Sequence, residues 1–169
     1  DNRKKTLFIA RDRLGIKPLY YYYNGNRLIF SSEIKSILAY NEFKKDIEKN
    51  SVIHYFAYGY IPGQKTIFKN IFKLLPGNYL IFKKNKIEIR RYWQVDYNPE
   101  DNTEDYYIKK IRWLLKESVR KSLVADVPAG IFLSGGLDSS SIVAQTHALG
   151  RNIKTFSVLF DYDYYDESK

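Results

Sequence analysis

The stretch AGIFLSGGLDSS, residues 129–140, decides the fold of the second half of the chain. Its first part, residues 129–133, is a short apolar run typical of a strand buried in a parallel sheet. A glycine-rich turn follows, and residues 139–149 are predicted to form a helix that Gly150 ends. Residues 153–160 predict a second strand. A strand, a helix and a strand in this order predict a parallel α/β layer.

The turn inside this stretch has the composition of a phosphate-binding loop. Gly135 and Gly136 let the main chain approach phosphate oxygens, and the N-terminus of the next helix offers unpaired N–H groups. Asp138 is expected either to cap that helix or to bind Mg²⁺. Three hydroxyl groups are available as donors, from Ser134, Ser139 and Ser140. The turn lacks the Gly-Lys-Ser/Thr of a Walker A loop and the Gly-x-Gly-x-x-Gly of a dinucleotide site. A turn that only caps an ordinary helix is the alternative.

The first half of the chain shows a different pattern, with hairpins and short helices. Strands are expected at residues 6–10, 19–23, 27–30, 78–82 and 87–93, the first of them buried. Asn24-Gly25 suits a tight hairpin turn, and residues 83–86 are expected to form another. Helices are expected from Ser31 or Ser32 to about Tyr40, and over residues 51–57 with Asn50 or Ser51 as the cap. The tyrosine run 20–23 is interpreted as an alternating strand with two contact faces, rather than a base-stacking surface.

A polar, proline-bearing segment, residues 98–103, is predicted to link two domains. The domains are then residues 1–97 and 104–169. Thr103 is expected to cap a long helix that ends near Val124, because apolar residues recur there at helical spacing. Trp93 and Trp113 are expected in the core. His54 and His147 fall on separate predicted helices, and no catalytic triad is predicted around them.

The chain has 28 Lys and Arg against 19 Asp and Glu, a net charge of +9. The basic residues are scattered, which favours a solvated surface over a nucleic-acid site. The absence of cysteine excludes disulfides, thiolate metal sites and cysteine catalysis within these residues. No apolar run reaches membrane-spanning length. We expect a cytoplasmic protein that binds neither nucleic acid nor membrane.

Several motifs resemble those of one enzyme family. The loop is similar to the pyrophosphate-binding loop of ATP pyrophosphatases, Ser-Gly-Gly-x-Asp-Ser. ARDRLGIKPLYY (10–21) and FSSEIK (30–35) resemble the end of class II glutaminase domains. Other runs resemble asparagine synthetases: YGYIPG (58–63), TIF (66–68), LPG (75–77), Val127-Pro128, TFS (155–157) and DES (166–168). The chain is identified as a member of the glutamine-hydrolysing asparagine synthetase family, and as an internal fragment.

This resemblance implies an α/β protein. The end of an α+β glutaminase domain with antiparallel strands would be followed by the start of a parallel α/β ATP pyrophosphatase domain. It implies that glutamine supplies ammonia, that ATP and aspartate form β-aspartyl-AMP and pyrophosphate, and that ammonia displaces AMP. ATP and Mg²⁺ are the implied cofactors, aspartate and glutamine or ammonia the other small molecules, and a homodimer of the full-length protein is allowed. The implied ATP-binding residues are Leu133, Ser134, Gly135, Gly136, Asp138, Ser139, Ser140 and Val158, with Leu133 and Val158 contacting through the main chain and Asp138 near Mg²⁺.

The same resemblance places no catalytic residue in the chain, because the family's glutaminase cysteine would lie upstream of Asp1. The chain alone is therefore expected to be inactive. Arg11, Asp12, Arg13 and Lys17 are interpreted as a structural scaffold. Leu159 stands where the family often has glycine. A related enzyme with another acceptor, a non-catalytic ATP-binding module and an RNA-binding protein are the alternatives.

Overall fold

The structure, a computed structural model, describes residues 1–41, 43 and 45–159. The chain forms two compact units, Asp1–Tyr97 and Asn98–Lys169. The first unit contains β1 (Thr6–Ala10), β2 (Tyr20–Tyr23), β3 (Leu28–Ser31), α1 (Ile34–Leu38), α2 (Lys49–Tyr58), β4 (Ile71–Lys73), β5 (Asn78–Lys83) and β6 (Lys86–Arg91). The second contains α3 (Glu104–Ser122), β7 (Gly130–Phe132), α4 (Leu137–Ala148) and β8 (Lys154–Phe156). Within the described residues, no helix is both long and apolar enough to cross a membrane.

Two antiparallel three-stranded sheets form the first unit, in the orders β1-β5-β6 and β3-β2-β4. Ile9 pairs with Leu80 in one sheet, and Tyr21 pairs with Phe72 in the other. Ile9, Leu80 and Tyr21 share one buried cluster with Leu74, so the two sheets pack face to face around it. The predicted mixed α/β class with antiparallel strands is confirmed for this unit.

The tyrosine run of β2 alternates between two apolar layers. Tyr21 and Tyr23 face the cluster between the sheets, whereas Tyr20 and Tyr22 face a second cluster beneath α1. That second cluster is built on Ile37 and two further buried residues, Phe43 and Ile71. The interpretation of this run as an alternating strand is confirmed, and burial raises the pKa of the Tyr21 phenol.

The helix caps of the first unit differ from the prediction. Glu33 is the N-cap of α1, and the Ser31 hydroxyl instead accepts from the Glu33 N–H at 3.2 Å. α2 begins at Lys49, two residues earlier than expected, and the Glu48 carboxylate accepts from the Asn50 N–H at 3.4 Å. Serine is the commoner cap, but the extended backbone that a cap requires lies at Glu33 and Glu48. The predictions of serine and asparagine caps here are wrong.

In the second unit, Thr103 caps α3 as predicted, because its hydroxyl accepts from the Tyr106 N–H at 3.3 Å. β7 and β8 are parallel, with Gly130 opposite Lys154 and Phe132 opposite Phe156. The predicted order of strand, helix and parallel strand is therefore present. A Cβ atom on Gly130 would lie 2.6 Å from the Phe156 ring, so only glycine fits at this position without movement.

Burial is where the prediction fails. The strand at residues 129–133 was expected to be buried, but Phe132 is 79% exposed. Phe8 in β1 and Trp113 in α3 are also more than half exposed, although both were expected inside. β8 covers three residues of the predicted 153–160, and Phe160 and the DES run at 166–168 lie outside the described residues. Spacing identifies the apolar face of an element, but not whether another element covers that face.

Candidate phosphate-binding loop

The loop that joins β7 to α4 contains the predicted site residues 133–140. Gly136 is the N-cap of α4 in an extended conformation, with φ −70° and ψ 161°. Gly135 has φ +81°, a left-handed conformation that glycine adopts without steric cost. The two glycines therefore have separate functions, since Gly135 reverses the chain and Gly136 starts the helix. α4 consequently begins at Leu137, two residues before the predicted start.

Ser139 holds the loop together from inside. Its hydroxyl donates to the Gly136 carbonyl at 3.1 Å and accepts from the Ser134 N–H at 3.3 Å. Its oxygen also lies 3.2 Å from the Ser134 hydroxyl oxygen. Ser139 was predicted as a donor to the ligand, but in the structure its hydroxyl is engaged with the loop itself.

The N-terminus of α4 remains open. No side chain caps it, and Asp138, in the first turn, is exposed rather than serving as the cap. Among the described residues, nothing accepts from the N–H groups of Leu137, Asp138 and Ser139. The Ser140 N–H donates to the Gly136 carbonyl at 3.1 Å. The side chain of Ser140 is exposed, so its hydroxyl is accessible to a ligand. Three adjacent free amides at the positive end of a helix are suited to an oxyanion.

The two ends of the parallel strand pair meet beside this loop. The Leu133 N–H donates to the Phe156 carbonyl at 2.8 Å, and the Ser157 hydroxyl donates to the Leu133 carbonyl at 2.7 Å. The main chain of Leu133 is thus already paired, and a ligand would reach only its carbonyl oxygen, through the second lone pair. Val158 lies beyond the end of β8 and is 65% exposed. The end of the second strand was expected beside the loop, and this hydrogen bond places Ser157 there, whereas the expected role of Val158 stays a prediction.

A magnesium ion has one carboxylate to bind here. Within the described residues there is no cluster of three or more His, Cys, Asp or Glu side chains with metal-binding geometry. Asp138 stands alone in the loop. One carboxylate fits a Mg²⁺ ion that is held mainly by nucleotide phosphates and water, the usual arrangement for this ion.

A second group of polar residues lies in the first unit, and two of them, Arg11 and Asp12, bind main-chain groups with their side chains. The Arg11 guanidinium donates to the carbonyls of Lys17 (2.9 Å), Leu74 (2.7 Å) and Gly15 (2.9 Å). The Asp12 carboxylate accepts from the N–H groups of Ile16 (2.8 Å) and Lys17 (3.0 Å). These hydrogen bonds, the one from Lys17 above all, lower the pKa of Asp12. The contacts are those of a scaffold, and Arg13 adds its guanidinium 5.8 Å from the Trp93 ring centre.

Two family models match the chain. A glutamine amidotransferase domain matches residues 1–93, and asparagine synthase matches residues 110–169. These matched ranges lie in the first and the second compact unit respectively.

Curated relatives match nearly the whole chain. A protein of Methanocaldococcus jannaschii described as a glutamine-hydrolysing asparagine synthetase is 45% identical over 171 residues, covering 97% of this chain and 33% of that protein. Asparagine synthetase (glutamine-hydrolysing) 3 of Bacillus subtilis is 40% identical over 146 residues, covering 85% of this chain and 24% of that protein. Amidase chyE of Penicillium rubens is 32% identical over 183 residues, covering 96% and 26%.

This chain spans a third or less of the length of each of these relatives. The glutamine amidotransferase match covers more than half of the chain. The asparagine synthase match begins at residue 110, in the second turn of α3. On these matches, the chain belongs to the family of glutamine-hydrolysing asparagine synthetases.

Proposed function

We propose that the loop at residues 133–140 binds the pyrophosphate part of Mg-ATP. The enzyme it serves would amidate aspartate through β-aspartyl-AMP, using ammonia from glutamine, and release AMP and pyrophosphate. The observation that carries the proposal is the uncapped N-terminus of α4, which follows a left-handed glycine at the carboxyl end of a parallel strand. In open α/β sheets ligands bind at that end of the strands. That the second unit is the start of an ATP pyrophosphatase domain belongs to the same proposal.

The residues of the loop divide into donors and supports. The amides of Leu137, Asp138 and Ser139 would donate to phosphate oxygens, and the exposed hydroxyl of Ser140 would add a fourth donor. Such fixed donors stabilise negative charge as it develops on a leaving pyrophosphate, without reorganising during the reaction. Ser139 and Gly135 act indirectly, because they fix the course of the main chain. Asp138 would hold the Mg²⁺ ion that accompanies ATP.

The first unit would contribute to glutamine hydrolysis through its fold rather than through a nucleophile. No cysteine is present among the 169 residues, and a thiolate is the nucleophile expected of this family's glutaminase. The proposal therefore includes that these residues alone neither hydrolyse glutamine nor make asparagine. A cytoplasmic location of the enzyme is proposed with it, and cell fractionation tests that part.

A second candidate keeps ATP but changes the acceptor. Amidase chyE is named as an amidase, yet it matches 96% of this chain at 32% identity. The two units described here are therefore compatible with relatives that are not named as asparagine synthetases. The test is whether pyrophosphate release by the whole enzyme requires aspartate. A requirement for aspartate supports the first candidate, and release at the same rate without aspartate supports the second.

Thermal unfolding with and without Mg-ATP tests the loop itself. Ligand at about a hundredfold above its dissociation constant adds about 2.7 kcal/mol to the stability of a protein that binds it only when folded. We expect ATP to raise the melting temperature of the parent and to raise that of Asp138→Ala much less. Asp126→Ala, which removes an exposed acid outside the loop, is the matched control. A cooperative parent melt that Mg-ATP leaves unchanged would falsify the proposed site.

A further inference from the structure

Three turns of the first unit carry most of the excess positive charge of the chain. We define them as the first tip (residues 2–5, before β1), the second tip (residues 83–86, from the end of β5 to the start of β6) and the third tip (residues 24–27, between β2 and β3). They contain no acid and seven basic residues: Arg3, Lys4, Lys5, Arg27, Lys83, Lys84 and Lys86. The whole chain has a net charge of +9, so its positive charge is concentrated in these tips.

The fold brings the three tips together, although they are far apart in sequence. Thr6, directly after the first tip, pairs with Lys83, the first residue of the second tip. The Asn85 side-chain amide of the second tip donates to the side-chain oxygen of Asn26, in the third tip, at 2.7 Å. Neighbouring strands are about 4.8 Å apart and packed sheets about 10 Å apart, so the tips form one surface at one end of the unit. The spacing of charges in the sequence favoured a scattered, solvated surface because it does not show this contact.

The charges of this surface are open to a ligand. Every residue of the three tips is exposed. Arg3 and the five lysines form no ion pair with any residue that the structure describes. Arg27 donates to the Tyr40 hydroxyl. The neighbouring acid, Asp1, accepts from the main-chain N–H groups of Arg3 and Lys4 at 2.9 and 3.0 Å, which closes the first tip.

Two of the lysines occupy strained positions. Lys5 has φ +47° and Lys84 has φ +48°, left-handed conformations that are disfavoured for residues with a Cβ atom. The other non-glycine residues with positive φ in the described part of the chain are Asn70 and Asn85, and asparagine tolerates this conformation. Lysine at both positions therefore costs stability, and no ion pair within the described residues compensates for it. Backbone strain of this kind concentrates at binding sites.

The composition of the tips selects the chemistry of the partner. Five of the seven basic residues are lysine, which contacts a phosphate as a point charge, whereas arginine is favoured where a planar, bidentate contact specifies one group. The tips contain no apolar or aromatic side chain. They therefore lack the centre of a protein interface, a group that could insert into a bilayer, and a platform for base stacking. A duplex backbone, with one negative charge per roughly 1.7 Å of axis, matches charges spread over three tips.

We propose that the three tips bind the phosphate backbone of a double-stranded nucleic acid without reading its sequence. The inference is independent of ATP binding, because no tip residue belongs to the loop at residues 133–140. Electrostatic attraction supplies the affinity, so binding weakens steeply as salt is added.

Fluorescence anisotropy with a labelled DNA duplex of about 20 base pairs, measured at a series of salt concentrations, tests the proposal. Each phosphate contact contributes about 0.9 to the slope of log K against log salt concentration, so six contacts give a slope of about −5. A second-tip variant carrying Lys83→Gln, Lys84→Asn and Lys86→Gln should make this slope shallower by about 3. It should also weaken binding at least tenfold at about 50 mM salt.

A variant of α3 controls for total charge. Lys110→Gln, Lys116→Gln and Lys121→Gln together remove the same number of charges from exposed positions of that helix. This variant should keep the slope of the parent. Equal effects of the second-tip and α3 variants, or a parent that binds no duplex at about 50 mM salt, would overturn the proposal.

A first-tip variant makes the test independent of any one set of substitutions. Arg3→Gln, Lys4→Gln and Lys5→Asn remove three charges from the other side of the same surface. Because the tips act together, this variant should weaken duplex binding as much as the second-tip variant does. A loss of binding confined to one of the two variants would contradict a shared surface.

Two further ligands distinguish a nucleic acid from other polyanions. The parent is titrated with polyglutamate and with vesicles that contain phosphatidylserine, at the same salt concentration as the duplex. We expect the duplex to bind more tightly than either. Polyglutamate binding as tight as that of the duplex would assign the tips to an acidic protein segment, and equally tight vesicle binding would assign them to an anionic membrane. Either result overturns the proposal.

Discussion

The hydroxyl oxygens of Ser134 and Ser139 lie 3.2 Å apart across the phosphate loop. Ser139 also donates to the Gly136 carbonyl and accepts from the Ser134 N–H, so one side chain holds both ends of the turn. Ser140, the next residue, has an exposed hydroxyl with no partner among the described residues. The two neighbouring serines thus have different functions, one in shaping the loop and one in facing a ligand.

Removing these two hydroxyls separately should give different results. Ser139→Ala should lower stability without ligand by about 1 kcal/mol, the net contribution of a typical hydrogen bond, and should also weaken ATP binding. Ser140→Ala should leave the ligand-free melt unchanged and reduce only the shift that Mg-ATP produces. Thermal melts of both variants, each with and without Mg-ATP, make the comparison. Identical behaviour of the two variants would contradict the assignment of Ser139 to the loop interior.

Gly135 offers a test of backbone conformation. Its φ of +81° is disfavoured for any residue with a Cβ atom, so Gly135→Ala should cost about 1–2 kcal/mol. Gly25, in the hairpin between β2 and β3, has φ +91° and open space around it, and Gly25→Ala should cost a similar amount. Only Gly135→Ala should abolish the response to Mg-ATP in the melt. If Gly135→Ala kept the full response, the left-handed turn would not be needed for binding.

Much of the loop was predictable from sequence, because glycine and serine preferences are local. That the chain would turn at Gly135 and Gly136, between a strand and a helix, follows from residue type alone. The inward rotation of the Ser139 hydroxyl was not predictable, since it depends on Gly136 rather than Asp138 becoming the N-cap. A difference of two residues in the helix start decides which hydroxyls face a ligand.

The fold shows the same division between local and distant causes. Thr6–Ala10 forms the strand that its apolar run predicts, and Asn24-Gly25 forms the expected hairpin turn. β4 was missed, because three residues are too few to show alternation. Glu48 was not predicted as the cap because its position depends on a tertiary contact. The preceding residue, Ile47, forms an antiparallel bridge with Phe68, and α2 can begin only after that bridge. Contacts distant in sequence set that position, and no local preference reports it.

Arg11 is expected to be the most sensitive residue of the glutamine amidotransferase unit. Its guanidinium donates to the carbonyls of Gly15 and Lys17 in its own loop and to the carbonyl of Leu74, 63 residues further along the chain. Arg11→Ala should lower the free energy of unfolding by about 2–4 kcal/mol, since hydrogen bonds from a charged group are stronger than neutral ones and two part-buried carbonyls, those of Gly15 and Leu74, would lose their donor. Arg11→Lys should recover little, because an ammonium cannot form the planar fork. Urea unfolding measures both.

Arg13→Ala is the matched control for this prediction. Arg13 is exposed and contacts the Trp93 ring, a cation–π contact expected to contribute about 0.5–1 kcal/mol. If Arg13→Ala lowered the free energy of unfolding as much as Arg11→Ala does, the hydrogen bonds from Arg11 to the carbonyls would not be what stabilises the loop.

Asp12 should make the first unit sensitive to acid. Hydrogen bonds from Lys17 and Ile16 lower its pKa in the folded chain, so its carboxylate stabilises the fold at pH values above the unfolded pKa, about 3.9. This stabilisation is lost as the pH falls below that value through the lowered folded pKa. Asp12→Asn should be less stable than the parent at neutral pH, and the difference should shrink as the pH falls through this window. Urea midpoints at a series of pH values measure it.

Glu117→Gln is the control, because the Glu117 carboxylate has a pKa lowered mainly by the exposed Arg120 beside it, and that contribution should weaken with added salt. A difference between parent and Asp12→Asn that stayed constant down to the lowest pH would show that the main-chain hydrogen bonds do not favour the charged form of Asp12.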